Sequence, residues 1–429
     1  MIEEIIAAAI FVLCLAVIFA EKIHRTTIAI LGAILMVAAG KILGFFSEQA
    51  AIASVDFNTL GLLLGMMILV AMLEPTGFFQ FLAVWAGRIS KGHPVRLLVL
   101  LGLVTTVLSM FLANVTTVVL IAPVTILISE ILGIPPLPFL VTEAVLANIG
   151  GVATLIGDPP NILIASAAGF TFGDFLVLSL PLIVFVWAAA LGLLRLLFRK
   201  ELAVHPVNPD AVRGLNPTEA IHDSKAAKRI LAVLGTAIVL FFFQDRLGVS
   251  PAFIALSAAA FGMAWVQPAM DKMLERIEWG VLLFFTALFV LVGGLESAGV
   301  LHWLADRIAS LQGVPPVVFG LLVIWVIALL SALVDNIPIT IALIPVIQQL
   351  GHNGMDIAPL WWALAFGAGL GGNGTIVGST ANLIVATLSE RTRTPITAKL
   401  WNKHGLPVML ATCTVISILY VLWFPLFSR

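Results

Sequence analysis

Two aspartates, Asp158 and Asp335, lie in short polar segments of a chain that is 61% hydrophobic and only 10% charged. A carboxylate inside an apolar chain is costly to bury, so it usually binds or carries a cation. We therefore interpret both aspartates as coupling residues for H⁺ or Na⁺. Polar side chains of the same segments are expected to complete an ion- or solute-binding site: Asn114, Thr116, Thr117, Thr154, Asn161, Asn336, Thr340, Asn373, Thr375, Ser379, Thr380 and Asn382.

The segments that carry these residues occur twice in the chain. Asn114 and Asn336 lie 222 positions apart, within similar surroundings. The run 154–161 returns as the run 375–382 at an offset of 221. A polar segment that is duplicated in an apolar chain is typical of one site built from two repeats.

The two copies differ at the acidic positions. Asp158 corresponds to Ser379 in the second copy. Asp335 corresponds to Ala113 in the first copy. Each repeat is therefore predicted to supply one carboxylate, and the two carboxylates come from different elements.

Structural roles remain open for some of these residues. Asn114, Asn336 and the two aspartates could cap helix N-termini instead of binding a ligand. Glu74 and Glu296 end apolar runs at equivalent positions, which favours a boundary role at the membrane interface. Glu143 has no acidic counterpart in the other half, and we interpret it as structural.

Membrane-spanning helices must position these polar segments. Soluble domains carry about 25% charged residues, whereas this chain carries 10%. Apolar runs that approach the ~20 residues of a spanning helix recur from end to end. The chain is therefore predicted to be an all-α, multi-pass protein of the cell (inner) membrane. The runs are 5–20, 27–43, 60–73, 175–197, 230–243, 252–266, 281–295 and 407–427.

Several classes of function find no support in the sequence. A net charge of −1 argues against a nucleic-acid partner. Cys14 and Cys413 have neither metal-ligand nor disulfide spacing. The run 367–372 fits G-x-G-x-x-G but lies inside an apolar helix pattern without a preceding strand, so no dinucleotide is expected. Without a Walker A sequence or a nucleophile–base pair, we expect neither an enzyme nor a cofactor. A separate ATPase partner stays an open alternative.

The chain divides into two halves of similar length around a polar, proline-containing stretch. That stretch is rich in Lys and Arg, and we interpret it as a cytoplasmic linker between repeats. The predicted boundaries are 1–198 for the first repeat (hairpin tip near 114, broken helix near 154–161), 199–229 for the linker, and 230–429 for the second repeat (hairpin tip near 336, broken helix near 373–382).

Basic residues predict how the repeats are oriented. The loop 88–96 carries three of them and its equivalent 310–318 carries none; the loop 388–404 carries four and its equivalent 167–182 none. Cytoplasmic loops are enriched in Lys and Arg, so equivalent loops face opposite sides. This is typical of inverted-topology repeats. Lys22, Arg25 and the linker are placed in the cytoplasm by the same rule.

The stretch 97–133 allows two interpretations, either two full spans or a re-entrant hairpin that turns at Asn114. We favour the hairpin, because irregular backbone at membrane depth is tolerated where it lines a cavity. Each repeat would then contain five crossings, one of them a broken helix, and one hairpin. Amphipathic segments at 76–90 and 298–310 are expected to lie along the interface.

These motifs resemble the ion transporter superfamily, in particular the branch of ArsB arsenite permeases, NhaD-type sodium/proton antiporters and the melanosomal P protein. The resemblance implies a scaffold domain, a mobile transport domain, an elevator-type alternating-access step and a homodimer. Hairpin tips and broken helices would then meet at the substrate. The similarity spans nearly the whole chain and is carried by Ala113–Thr117, Gly150–Asn161, Asp335–Pro338 and Leu370–Gly378.

The favoured function is proton-coupled efflux of arsenite or antimonite. Arsenous acid is largely uncharged near neutral pH, which suits four segments that contain no Lys or Arg. A sodium/proton antiporter is the main alternative, because carboxylates with Asn and Thr oxygens suit Na⁺. The third is a carrier of another inorganic or organic anion, although the tips read Ala-Asn-Val and Asp-Asn-Ile instead of the Ser-Asn-Thr of the sodium-dicarboxylate branch. The expected partners are a small inorganic solute or ion and the lipid bilayer.

Overall fold

The computed structural model describes residues 2–19, 23–208, 211–212, 214–303, 314–352, 354–392 and 394–428. Across these ranges the regular structure is helical, as the apolar runs predict. Within them, seven helices are long and apolar enough to cross a membrane. Lys22 and Arg393, which helped to predict the orientation, and the part 304–310 of one predicted interfacial segment lie outside the described residues.

The first repeat begins with three long apolar helices and continues through a helical hairpin and a broken helix. Its helices are α1 (Ile2–Phe19), α2 (Arg25–Leu43), α3 (Glu48–Ala53), α4 (Phe57–Leu73), α5 (Phe78–Ser90), α6 (Pro94–Ser109), α7 (Asn114–Leu132), α8 (Leu137–Val152), α9 (Pro159–Ala168), α10 (Phe172–Asp174) and α11 (Leu180–Leu197).

Within the described residues, the second repeat again contains long apolar helices, a helical hairpin and a broken helix in this order. Its helices are α12 (Ser224–Phe242), α13 (Gln244–Leu247), α14 (Pro251–Val266), α15 (Met270–Leu274), α16 (Trp279–Ser297), α17 (Pro316–Leu333), α18 (Asn336–His352), α19 (Ala358–Gly371), α20 (Thr380–Ser389) and α21 (Ala398–Phe427).

The polar stretch between the repeats is attached to the first repeat. The Val207 amide donates to the Leu132 carbonyl at 2.9 Å, and the His222 amide donates to the Thr76 carbonyl at 2.9 Å. Helix α12 begins at Ser224, before the predicted linker boundary at 229, because the carboxylate of the preceding aspartate accepts a capping bond.

Helix packing separates a scaffold domain from a transport domain. In the scaffold, α4 packs on α14, α2 packs on α16, and α1 and α12 complete the group. In the transport domain, α6 packs on α8, α17 on α19 and α11 on α21. The two domains meet where α4 contacts α9 and where α16 contacts α18.

Contacts across the transport domain relate the repeats by a pseudo-twofold exchange. Helix α7 of the first repeat packs on α20 of the second, and α18 of the second repeat packs on α9 of the first. The fold is therefore an all-α, multi-pass architecture of two inverted-topology repeats. Hairpin 1 is α6 and α7, hairpin 2 is α17 and α18, break 1 is residues 153–158, and break 2 is residues 372–379.

The stretch 97–133 forms the predicted re-entrant hairpin. The turn of hairpin 1 lies against break 1, because the Thr154 hydroxyl donates to the Met110 carbonyl. Leu112 and Asn114 at this turn are 4% and 8% exposed. A turn that is buried against a helix break inside the protein is the arrangement that a re-entrant hairpin requires.

The helices that lead into the breaks form the centre of the transport domain. Every residue of α8 is buried, and so is nearly all of α19. Glycines allow this centre to close: a Cβ on Gly150 would lie 2.6 Å from the Thr106 carbonyl oxygen, and one on the equivalent Gly371 would lie 2.4 Å from that of Ala328. The paired glycines therefore serve close backbone approach to each hairpin.

Candidate functional site

Equivalent threonines fasten each helix break to the tip of its own hairpin. Thr154 donates to Met110 in the first repeat, and Thr375 Oγ1 donates to the Ala332 carbonyl at 2.5 Å in the second. Each hydroxyl also accepts an amide of its own break. Both threonines were predicted as ligands, and the structure shows that they hold the breaks in place.

Asn161 and Asn382 close the two breaks with matching bonds. Nδ2 of Asn161 donates to the carbonyls of Gly151 and Thr154, at 3.0 and 2.8 Å. Nδ2 of Asn382 makes the equivalent two bonds, at 2.8 and 2.9 Å. Because both hydrogens of each amide are used, each Oδ1 must point away from these carbonyls.

Asp158 lies at the start of α9 and is 3% exposed. It makes no side-chain capping bond, since Pro159 and Pro160 open the helix and have no N–H. Instead, its Oδ2 accepts from Asn336 Nδ2 at 3.1 Å, which brings the tip of hairpin 2 onto break 1. Within the described residues Asp158 has no ion-pair partner.

Asp335, at the tip of hairpin 2, is paired. Its Oδ2 accepts from Arg25 Nη1 at 2.6 Å and from Thr380 Oγ1 at 3.2 Å. Its Oδ1 accepts from the Ile337 amide at 3.2 Å, so the capping alternative holds for this residue in addition to the ion pair. Arg25 also donates to Thr380 at 3.1 Å and lies 5.4 Å from the centre of the Phe284 ring.

Arg25 corrects the expectation of a site without basic residues. The four polar segments contain no Lys or Arg, but the fold brings one in from α2 of the scaffold. Sequence reasoning used Arg25 only as an indicator of orientation. Because the formal charges of Arg25 and Asp335 cancel, an ionised Asp158 would give this cluster one net negative charge.

Asn114 lies within the tip of hairpin 1. It is the first residue of α7, and Ala113 occupies the N-cap position, so Asn114 does not cap the helix. Its Oδ1 accepts from Ser109 Oγ at 2.6 Å, and the same hydroxyl lies 2.7 Å from the Ala147 carbonyl oxygen. Asn114 is thus held against the helix that leads into break 1.

The remaining predicted ligands point in different directions. Thr116 donates to Glu278 Oε1 of the scaffold at 2.6 Å. Thr340 donates within its own helix at 2.8 Å. The Thr117 hydroxyl and Asn373 Nδ2 are buried without a hydrogen-bond partner among the described residues.

Asn148 is a site residue that the sequence reasoning missed. From α8 of the first repeat, its Nδ2 donates to Asn373 Oδ1 at 2.9 Å and to Asn382 Oδ1 at 3.1 Å. Its Oδ1 accepts from Ser379 Oγ at 2.9 Å. Asn148 is not repeated, because the equivalent residue at the 221 offset is Gly369. An amide within an otherwise apolar run was the available signal.

Glu143, on α8, is fully buried and faces α7. Thr125 Oγ1 donates to its Oε1 at 2.5 Å, and Oε2 has no partner in the described part of the chain. No bond joins it to the breaks or to the hairpin tips among the described contacts, which leaves it outside the site.

Two clefts open at opposite ends of the boundary between the domains. One reaches the tip of hairpin 1 and is bordered by Glu74 and Glu278. The other lies between α9, α16 and α18 and is bordered by Glu296. Glu74 pairs with Arg276 at 2.5 Å. The two acids predicted at the interface thus each line one cleft.

Carboxylate, amide and hydroxyl oxygens are the groups that this site offers to a cation. In the described part of the chain, no group of three His, Cys, Asp or Glu side chains could hold a metal ion. Such oxygens suit a proton or a weakly held monovalent ion, while neutral hydroxyl-bearing solutes can exchange hydrogen bonds with them.

Comparison with known proteins adds a family. The family model CitMHS, described as citrate transporter, matches residues 15–367. The uncharacterized transporter Rv2685 of Mycobacterium tuberculosis is 39% identical, over 98% of each chain. The 46 kDa membrane protein of Mycobacterium leprae is 37% identical, over 97% of this chain and 96% of that protein.

A human relative and a solved structure extend the comparison. The human P protein is 34% identical over 96% of this chain, which spans 59% of that longer protein. The crystal structure of the YdaH transporter of Alcanivorax borkumensis matches with a TM-score of 0.65 and 19% identity, over 94% of this chain and 99% of that one, and shows a shared fold. The resemblance predicted from the hairpin and break motifs is confirmed, and the chain is a membrane transporter that belongs to the CitMHS family of the ion transporter superfamily.

Proposed function

We propose that the chain is a secondary active transporter that exchanges a proton at Asp158 for a small uncharged oxyacid, with efflux of arsenite or antimonite as its reaction. One observation carries the proposal. Asp158 is buried at the point where hairpin 2 meets break 1, and no cationic side chain pairs with it in the described residues. An unpaired carboxylate at membrane depth needs an exchangeable cation.

The net charge of the site favours an uncharged substrate over a multiply charged anion. Asp335 is balanced by Arg25, so Asp158 leaves the cluster with one formal negative charge. A citrate trianion, which the family description suggests, would meet this negative charge without a free basic side chain from the four segments. A neutral oxyacid instead can exchange hydrogen bonds with amides such as that of Asn336.

The domain arrangement supports an elevator-type step. Both hairpin tips and both breaks belong to the transport domain, so a rigid-body movement would carry the site as one unit. The two clefts at opposite ends of the domain boundary suit alternating access by inverted repeats. The basic loops and the linker would face the cytoplasm of an inner-membrane protein, and the functional unit would be a homodimer.

Transport into everted vesicles tests the proposal. We expect arsenite and antimonite uptake that depends on an imposed proton gradient and is lost in Asp158→Asn. Asp271→Asn removes an exposed acid outside the site and should transport as the wild type does. Absence of gradient-driven arsenite uptake by a well-expressed protein would exclude arsenite, and citrate in a parallel assay addresses the anion alternative.

A sodium/proton antiporter is the second candidate, and the same unpaired carboxylate favours it. The oxygens of Asp158 and Asn161 belong to the class of ligands that Na⁺ accepts. Proteoliposomes loaded with a pH-sensitive dye separate the two candidates. A change of internal pH on addition of Na⁺, in the absence of any oxyacid, would favour the antiporter.

A further inference from the structure

The two helix breaks face different residues of the opposite repeat. At the 221 offset, Asn148 on α8 corresponds to Gly369 on α19, and Asp158 corresponds to Ser379. Asn148 reaches break 2, as its bond to Ser379 shows. Gly369 faces break 1, because a Cβ on it would lie 3.7 Å from Asp158 Oδ2 and 2.2 Å from Val152 Cγ2. Each of the two helices α8 and α19 thus faces the break of the opposite repeat. Only Asn148 carries a side chain there, because its counterpart Gly369 has none.

The hydrogen bonds within break 2 determine whether the NH₂ group or the oxygen of the Asn148 side-chain amide faces it. Both hydrogens of Asn382 Nδ2 are bound to backbone carbonyls, so its Oδ1 is the atom that faces Asn148. Asn148 must therefore present its NH₂ group, which lies 2.9 Å from Asn373 Oδ1 and 3.1 Å from Asn382 Oδ1. An NH₂ group between two carboxamide oxygens stands where a small cation would otherwise be held.

Break 1 lacks that donor and keeps one of the two carboxamide acceptors, because Val152 stands at the position that corresponds to Asn373. Asn161 is bound like Asn382, so its Oδ1 is likewise directed away from the backbone carbonyls. A carboxylate, Asp158, replaces the Ser379 hydroxyl, and α19 contributes no side chain at Gly369. Acceptors that are buried away from water require donors or cations. Among the described side-chain contacts, Asp158 receives the single bond from Asn336, so a coupling cation from outside the chain is a partner that break 1 can accept.

We propose that the Asn148 amide is a built-in substitute for a cation at break 2, so that only break 1 exchanges a coupling ion. One ion per transported solute follows from this assignment. The stoichiometry rests on the proposed role of Asp158, whereas the effect of Asn148 on break 2 does not. Asn148 is thus a positioning residue whose NH₂ group permanently fills the cation position of break 2.

Removal of the Asn148 side chain should create a cation site. Asn148→Gly reproduces the residue of the other copy and leaves the oxygens of Asn373, Asn382 and Ser379 around a space of carboxamide size. The variant is made in an Asp158→Asn background, and thermal unfolding is measured in NaCl against choline chloride at equal ionic strength. Na⁺ should raise the unfolding temperature of the double variant by about 2 °C or more and should not raise that of Asp158→Asn alone.

Two further variants serve as controls for the Na⁺-dependent rise in unfolding temperature. Asn148→Ala opens the same space with a stiffer backbone. Thr142→Ala removes a buried hydroxyl of α8 that has no hydrogen-bond partner among the described residues, and it should gain no Na⁺ response. If neither Asn148 variant gains a Na⁺-specific rise, or if Thr142→Ala gains the same rise, the proposal is overturned.

The wild-type protein supplies an independent measurement. Reversal potentials in proteoliposomes should give one coupling ion per solute, and two would overturn the proposal whether or not the variants fold. A Na⁺ response of the Asn148 variants without any Asp158-dependent transport would support the role of Asn148 and remove the proposed function. Asp158-dependent transport without that Na⁺ response would support the proposed function and overturn the role of Asn148.

Discussion

Break 1 and break 2 are closed by the same backbone bonds but differ in charge. Asn161 and Asn382 each tie two carbonyls of their own break. Break 1 then ends in Asp158, which has one amide donor, while break 2 ends in Ser379, which donates to Asn148. The bonds that shape the breaks are thus kept in both repeats, whereas a carboxylate ends only break 1.

The hairpin tips show a second asymmetry. The tip of hairpin 2 carries Asp335, and its partner in the scaffold is Arg25. The tip of hairpin 1 is uncharged at Ala113, and Thr116 donates to the scaffold acid Glu278. Each tip therefore contacts the scaffold through one charged scaffold residue, and these two residues have opposite signs.

The largest expected effect separates the two breaks. Asp158→Asn should lower gradient-driven transport by roughly 100-fold, because the neutral amide cannot exchange a proton or a cation. Ser379→Ala should lower it by less than about 10-fold, because it removes one hydrogen bond of the permanently occupied copy. Initial rates in proteoliposomes at equal protein content measure both. Similar losses in the two variants would contradict the asymmetry of the breaks.

The ion pair at hairpin 2 should dominate the stability of the tips. Arg25→Gln leaves Asp335 without its cation and should lower the free energy of unfolding by about 2 kcal/mol, since both groups are partly buried. Asp335→Asn should cost a similar amount. In a double-mutant cycle the combined variant should lose clearly less than the sum. Additive losses would show that the two side chains are not coupled.

The amides that close the breaks should matter equally. Asn161→Ala and Asn382→Ala each leave two buried carbonyls without a donor, and each should cost about 2 kcal/mol of unfolding free energy. Thermal unfolding of the two variants in the same detergent makes the comparison. A much larger loss for one variant would indicate that the breaks are not structurally equivalent.

The smallest effect is expected at the tip of hairpin 1. Thr116→Val keeps the shape of the side chain but removes the bond to Glu278, at a cost of about 1 kcal/mol. Thr286→Val is the matched control, because Thr286 donates only within its own helix, at 2.8 Å. Unfolding temperatures and transport rates should change more in Thr116→Val, and equal changes would remove the interdomain role of Thr116.

Much of the fold could be predicted because its signals are local or repeated. Pro159 and Pro160 lack the N–H groups that a continuous helix needs, so a break beside Asp158 follows from the residues themselves. The loop charges predicted the inversion of the repeats, the polar tips predicted the two hairpins, and the burial of Asn114 agrees with a re-entrant turn.

Other site residues gave no repeated signal. Arg25 and Asn148 each act on an element that lies far away in the chain, and their repeat-related positions hold Leu247 and Gly369. Conversely, Thr154 and Thr375 were predicted as ligands but bind backbone carbonyls. Hydroxyl direction depends on the path of neighbouring backbone, which a residue pattern does not contain.

Composition, proline chemistry and loop charge act locally, so the residues alone predict a multi-pass helical protein of two inverted repeats with one acid in a polar segment of each. Which of the two acids is balanced by a cation depends on packing. Arg25 reaches Asp335 across 310 positions of chain, while Asp158 receives an amide. Electrostatic energy falls off over a few ångströms in surroundings that packing creates, so the state of each carboxylate is a property of the folded molecule.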